Sequence, residues 1–339
     1  MEKMTSRLAA AAVVAGVAVL GAGCAADAAA PAGGHPSAAA AGSPALPNPF
    51  TIMARYSAKS LGLDHPGALA IAPDGNLYVT DLSQRVTVIS PAGKVLRRWG
   101  KTGTGPGEFK FITNDPTAPT DVAGRIAVGR NGMVYVSDSG NDRVQVFTPQ
   151  GRFIRQIGSY GSGKGQFFFP AGLAVDGSGN VYVTDDQNQT LAKFSPTGKV
   201  IWQIGASTSS DQDLLGHQQL ASIDAHGRLV TMNDDQGRVL YIDPSGHKVD
   251  AFSPDSSSFT GGNMCEVTAD AAGDTYVSGC GPAPPSPTLV YDRAHRLIAK
   301  WPGSTYTLLR SPVFGPNGEV FALATDGSIL RLRITLPAG

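Results

Sequence analysis

NLYVTD at residues 76–81, MVYVSD at 133–138 and NVYVTD at 180–185 are one phrase written three times, each directly after a glycine: Gly75, Gly132 and Gly179. A β-branched and aromatic run that opens on a turn glycine and closes on Asp reads as a short strand bounded by turns. Fainter copies follow Gly227 (RLVTMN), Gly273 (DTYVSG) and Gly318 (EVFALA). Successive marker glycines are separated by 57, 47, 48, 46 and 45 residues. A period of about 40–50 residues carrying several strands is that of a propeller blade, and six copies predict six blades.

One unit shows what a blade contains. The segment AGLAVDGSGNVYVTDDQNQTLAKFSPTGKVIWQIG, residues 171–205, holds four alternating apolar runs with turns at Gly179 and Gly198 and an Asp-rich connection between them. Four antiparallel strands follow. The sixth unit supplies only three strands before the chain ends, while PFTIMARYS from Pro49 is a strand without a unit. That N-terminal strand is expected to complete the last blade and remove two exposed edges. The expected fold is all-β: a six-bladed β-propeller of four-stranded antiparallel blades spanning residues 49–336.

Composition agrees. Of 339 residues, 42% are hydrophobic, with Gly 42, Pro 24 and Cys 3, which suits many short strands and turns. Twenty-seven basic residues balance 27 acidic ones, so no overall field draws nucleic acid. Ahead of the repeats, Lys3 and Arg7 precede an apolar run ending LGAGC. Residues 1–23 read as a signal peptide, and the run's end resembles a bacterial lipobox, which implies lipid attachment at Cys24. Residues 24–48, rich in Ala, Pro, Ser and Gly, read as a flexible linker. Export to the outer side of the cell membrane is the expectation, with plain secretion as the alternative.

The repeat units PTDVAGRIAVGRNGMVYVSDSGNDRVQVFTPQGRFIRQIG and FPAGLAVDGSGNVYVTDDQNQTLAKFSPTGKVIWQIG resemble NHL repeats, the units of six-bladed propellers found in enzymes, receptor ectodomains and RNA-binding proteins. The resemblance implies the fold and leaves the function open, because one scaffold hosts many activities. The amidating lyase branch carries metal-ligand histidines at inner strands, in a PHSLA-like segment. This chain reads PAGLA there, from Pro170, so that activity is not implied.

GSYGSGKGQ, residues 158–166, contains the GxxxxGK of a P-loop, but Gly165 stands where Ser or Thr would hold Mg²⁺. GKTGTGPGEF at 100–109 aligns with GSYGSGKGQF at 158–167 without gaps. The element is therefore expected to be a repeated connection between blades, its glycines serving turns and Phe109 and Phe167 packing inside.

Ligands of such a ring are expected at the channel mouth, where the loops joining second and third strands carry Asp81, Asp138, Asp142, Asp185, Asp186, Asp234, Asp235 and Asp326. Asp81, Asp138 and Asp185 are read as loop braces, with Arg85, Arg143 and Arg238 as the recurring cations. Asp142, Asp186, Asp234 and Asp235 have no such structural duty in the sequence, and they suit a cation or a basic or hydroxyl-rich partner. His65 and His217 should precede inner strands at the same mouth, while His226, His247 and His295 belong to the opposite face. A divalent cation in the channel would need a carboxylate such as Asp121 or Glu266 beside the two histidines. Cys265 and Cys280, near neighbours across a hairpin of an exported chain, are expected to form a disulfide. No GxSxG, HExxH or EF-hand motif is present. The expected function is a monomeric binding or sensing module for a small ligand or a surface protein, held to the membrane through its lipid alone. A metal-dependent lyase or lactone hydrolase, or an envelope scaffold, is the alternative.

Overall fold

The computed structural model describes residues 46–111, 124–205, 209, 211, 214, 218–233, 235–259, 264–279, 287–301 and 312–337. Residues 45–339 form one compact unit. Strand β1 (Phe50–Tyr56) comes first and is followed by a helical turn, α1 (Ala58–Leu61). Blade one is β2 (Pro66–Ile71), β3 (Leu77–Asp81), β4 (Arg85–Ile89) and β5 (Val95–Trp99). Blade two is β6 (Ile126–Val128), β7 (Val134–Asp138), β8 (Arg143–Phe147) and β9 (Phe153–Ile157). Blade three is β10 (Pro170–Val175), β11 (Val181–Asp185), β12 (Thr190–Phe194) and β13 (Val200–Ile204). Blade four is β14 (Gln218–Ile223), β15 (Leu229–Asn233), β16 (Arg238–Ile242) and β17 (Lys248–Phe252). Blade five is β18 (Met264–Ala269), β19 (Thr275–Gly279), β20 (Thr288–Tyr291) and β21 (Leu297–Trp301), and blade six begins with β22 (Val313–Phe314), β23 (Val320–Leu323) and β24 (Ile329–Ile334). The sheet order β1-β24-β23-β22 makes the N-terminal strand the outer strand of blade six, as expected, and all pairs within the six sheets are antiparallel.

The repeated phrase now has a physical reading. In each second strand, alternate residues point to opposite neighbours. Val134 and Val136 pack toward blade one, while Tyr135 packs toward blade three. Val181 and Val183 pack toward blade two, and Tyr182 toward blade four. Among the described residues the core is six clusters, one at each seam between neighbouring blades. A strand buried on both faces needs apolar residues at every step, which is why LYV and VYV are unbroken. The tyrosines keep their hydroxyls satisfied: Tyr78 donates to the Pro149 carbonyl (3.1 Å) and Tyr276 to Asp270 (3.0 Å).

The six marker glycines all adopt left-handed φ, from 76° to 87°, at the first-to-second-strand turns. Each donates its N–H to the carbonyl three residues earlier, as Gly75 does to Ala72 and Gly179 to Asp176. The two glycine-rich connections are likewise turns. Thr102 bridges Phe109 and Tyr160 bridges Phe167, while Phe109 and Phe167 are fully buried. Their amides are consumed internally: Gly163 N–H donates to Gln166 Oε1 (2.9 Å), Gly165 N–H to Gln203 Oε1 (2.8 Å) and Gly161 N–H to the Phe167 carbonyl (2.9 Å). The near-P-loop thus cradles its own side chains instead of a phosphate.

Every outer strand carries a β-bulge. The register slips at Met53, Leu96, Ile154, Ile201, Val249 and Ile298, always an unbranched or branched aliphatic residue. A bulge twists an edge away from further pairing, so the rim resists strand addition by other chains.

Candidate site at the channel mouth

The loops between second and third strands form the mouth, and in blades one, two and three an acid at the end of the second strand organises them; blades four, five and six have Asn233, Gly279 and Leu323 there. In blade one, Asp81 is fully buried and accepts from Arg85 Nε (3.0 Å) and Ser83 N–H (3.0 Å). In blade two, Asp138 accepts from Arg143 Nε (2.8 Å), Gln145 Nε2 (3.0 Å), Asn141 Nδ2 (2.9 Å) and Lys110 N–H (2.7 Å). Arg143 passes the connection on, donating from Nη2 to the Gly105 carbonyl (2.8 Å). In blade two the brace therefore ties the loop to the glycine-rich segment arriving from the preceding blade.

Blade three departs from the expected brace. Thr190 stands where the arginine would be, and Asp185 accepts only uncharged donors in the described contacts: Phe168 N–H (2.7 Å), Asn188 N–H (3.3 Å) and Asn188 Nδ2 (2.8 Å). Burial pushes its carboxyl up to about 6, and the Asp142 charge nearby adds to the rise. A raised folded-state value means that the native state binds the proton more tightly than the unfolded chain does. Stability from this group is then greatest in acid and is lost as pH rises from about 4 through 6. We expect Asp185→Asn to gain ground on the parent protein between pH 4 and 7, by about 2 kcal/mol, in denaturant titrations across that range. Thr190→Arg should flatten the parent's profile; an unchanged profile would show that Asp185 does not titrate there.

Asp142 also has a structural duty, contrary to expectation. It holds a left-handed φ of 52° and accepts the Phe169 N–H at 3.1 Å. Asp326 pairs with Arg55 and accepts the Ser328 N–H (2.9 Å). Asp186 accepts from Gln187 Nε2 (3.1 Å). The mouth is acidic, but much of that acid holds loops together. Asp234 lies outside the described residues.

Inside the mouth, the channel is a cavity of about 260 Å³ walled by inner strands, with Ala70, Val128, Ala174, Val267 and Phe314 on its surface. Among its described lining residues the charged ones are Arg125 and Glu266. Arg125 Nη1 meets Glu266 Oε1 at 2.7 Å, and both side chains are largely buried. Both stand at the same height. Arg125 N–H donates to Ser137 Oγ (2.9 Å), while Glu266 faces Ser278 in the strand register, each one step below the end of the second strand. Blades two and five are opposite one another in a ring of six, so the pair spans the channel. Ala68 and Gly172, at the same height in blades one and three, are small and leave it room.

Glu266 is thus where the sequence placed it, but its carboxylate is engaged by a cation that the sequence reading did not single out. A signal was present: Ala68, Arg125, Gly172 and Glu266 each stand seven residues before a marker glycine, so opposite charges recur at one repeat position three blades apart. His65 does precede β2 at the mouth. It is exposed, at a left-handed φ of 44°, with Nδ1 2.8 Å from Asp64 Oδ1. Among the described residues no three His, Cys, Asp or Glu side chains gather into a metal-holding group. Asp121, His217, Cys24 and the Cys265–Cys280 pairing lie outside the described residues. His226, His247 and His295 fall in turns on the far face, as expected.

Ring, blades and channel define a six-bladed β-propeller, and comparisons with known proteins agree. A family model described as a 6-bladed beta-propeller (DUF5128) matches residues 121–207. Mouse peptidyl-glycine alpha-amidating monooxygenase is 36% identical over 121 residues, covering 32% of this chain and 11% of that protein. Human NHL repeat-containing protein 3 is 35% identical over 96 residues, covering 27% of this chain and 24% of the other. The chain therefore spans only a small part of the curated relatives it matches. Virginiamycin B lyase from Staphylococcus aureus superposes with a TM-score of 0.57 at 14% identity, over 84% of this chain and all of that one. That likeness concerns the fold.

Proposed function

We propose that the chain is an exported binding propeller, lipid-anchored through Cys24, that takes a small ligand or a surface-protein segment at the channel mouth. The supporting observation is the channel itself: a mostly apolar wall with, among its described residues, one charge pair, Arg125 and Glu266, set across its mouth. Apolar concavities with a few placed polar groups are the usual form of ligand sites. The pair offers a guanidinium to an anionic ligand group and a carboxylate to a cationic one, at the cost of their own contact.

The fold likeness to virginiamycin B lyase keeps a metal-dependent lyase as the second reading. It would draw on His65 and Glu266 together with Asp121 and His217. The two readings separate on the metal content of the 45–339 unit purified without chelators, with its Tm taken before and after EDTA. The binding reading expects no stoichiometric ion and an unmoved Tm. A bound divalent ion whose removal lowers Tm would favour the lyase.

A further inference from the structure

The balanced net charge conceals a sorting of charge around the rim. The outer strands of blades six, one and two are β1, β5 and β9. They carry four arginines (Arg55, Arg97, Arg98 and Arg155) and no acidic residue, and β24, paired with β1 inside blade six, adds Arg331 and Arg333. The outer strands of blades three, four and five, β13, β17 and β21, carry Lys248, Lys300 and Asp250. Arg55, Arg98, Arg331 and Arg333 are exposed.

Blades six and one present this charge as one surface. Tyr56 at the end of β1 donates its hydroxyl to the Pro91 carbonyl of blade one (2.9 Å), and Arg98 of β5 donates to the Leu61 carbonyl in α1. Aliphatic side chains stand among the arginines: Ile52 is 39% exposed, Met53 47% and Leu96 43%. Edge protection explains the bulge residues, since Ile201 and Val249 are as exposed on the other side of the ring. It does not explain why arginines gather on one arc only. Asp326 meets Arg55, and Asp270, Asp274 and Glu319 share a groove with Met53, Arg331 and Arg333, so acid borders the arc on its blade-five side.

We propose that the arc of blades six and one is a docking face for an anionic lipid bilayer. Met53, Ile52 and Leu96 enter the boundary between headgroups and acyl chains, while Arg98, Arg331 and Arg333 pair with lipid phosphates. A soluble polyanion would use the arginines and leave the aliphatics idle; a bilayer uses both. This contact is separate from any ligand in the channel and adds to the lipid on Cys24.

The test is flotation of the 45–339 unit, whose ring closes entirely within itself, with phosphatidylcholine vesicles with and without phosphatidylglycerol. Binding is expected only with phosphatidylglycerol and should fade in high salt. Arg331→Gln with Arg333→Gln, and separately Met53→Ser with Leu96→Ser, should each weaken it about tenfold. Ile201→Ser with Val249→Ser should leave it unchanged. Met53→Trp supplies an independent readout, its emission shifting to the blue on phosphatidylglycerol vesicles. Equal or absent binding to both vesicles would overturn the proposal, as would equal loss in the Ile201/Val249 variant. Loss with the arginine variant alone, with an unshifted Trp, would replace the bilayer with a soluble polyanion and so overturn it too.

Discussion

Glu266→Ala should lower the stability of the propeller by about 3 kcal/mol, and Arg125→Ala by a similar amount, in denaturant unfolding. The two side chains are largely buried, meet at 2.7 Å and stand in a mostly apolar channel wall. Removing one partner deletes the contact that offsets the burial of the other's charge, and broken buried pairs cost about 3–5 kcal/mol. The mouth admits some water, which places the effect at the low end of that range. Arg125→Leu combined with Glu266→Leu should recover most of the loss, because no charge is then left behind and the new side chains fill the channel. A single-variant loss below about 0.5 kcal/mol would make the pair no more than a solvated contact. The same variants bear on binding. A ligand drawn to either charge loses that attraction in the double variant while the fold survives, so stability and affinity can be separated.

Asp138→Ala is expected to cost about 3–5 kcal/mol, more than the matching change in blade one. Asp138 is fully buried and accepts from four residues, among them Arg143, whose side chain is 9% exposed. Deleting the carboxylate leaves the guanidinium almost without water. Asp81→Ala should be milder, about 2 kcal/mol, because Arg85 is 26% exposed and can turn its charge to solvent. The comparison decides whether burial of the orphaned cation sets the cost. Equal losses would mean that it does not.

Much of this architecture is legible in the sequence because it rests on local rules. Six glycines before six strand phrases need left-handed φ at a tight turn, and all six adopt it. The displaced strand at Pro49 is legible because an incomplete last blade leaves an edge wanting a partner. Other features were hidden by the kind of bond that makes them. Asp142 holds a backbone N–H, and a backbone partner leaves no mark in the sequence. Asp185 resembles its counterparts in the sequence, and the informative residue is Thr190, which stands where the other blades carry Arg85 and Arg143. The cross-channel pair needed two facts at once: the height of a residue in its strand and the position of its blade around the ring. The arginine-rich arc needed strand order as well, since β1, β5 and β24 are far apart in the chain and adjacent only after ring closure.

That closure has a consequence for the birth of the molecule. Arg55 on β1 reaches Ser328 beside β24, a partner 273 residues further along the chain. The first strand to emerge during synthesis is therefore the last to find its neighbour. Blades one to five can assemble one after another as the chain appears, but blade six stays unfinished until β24 has been made. A chain stalled or clipped before β24 would lose more than that strand, because β1 would be left without a place and the circle would remain open.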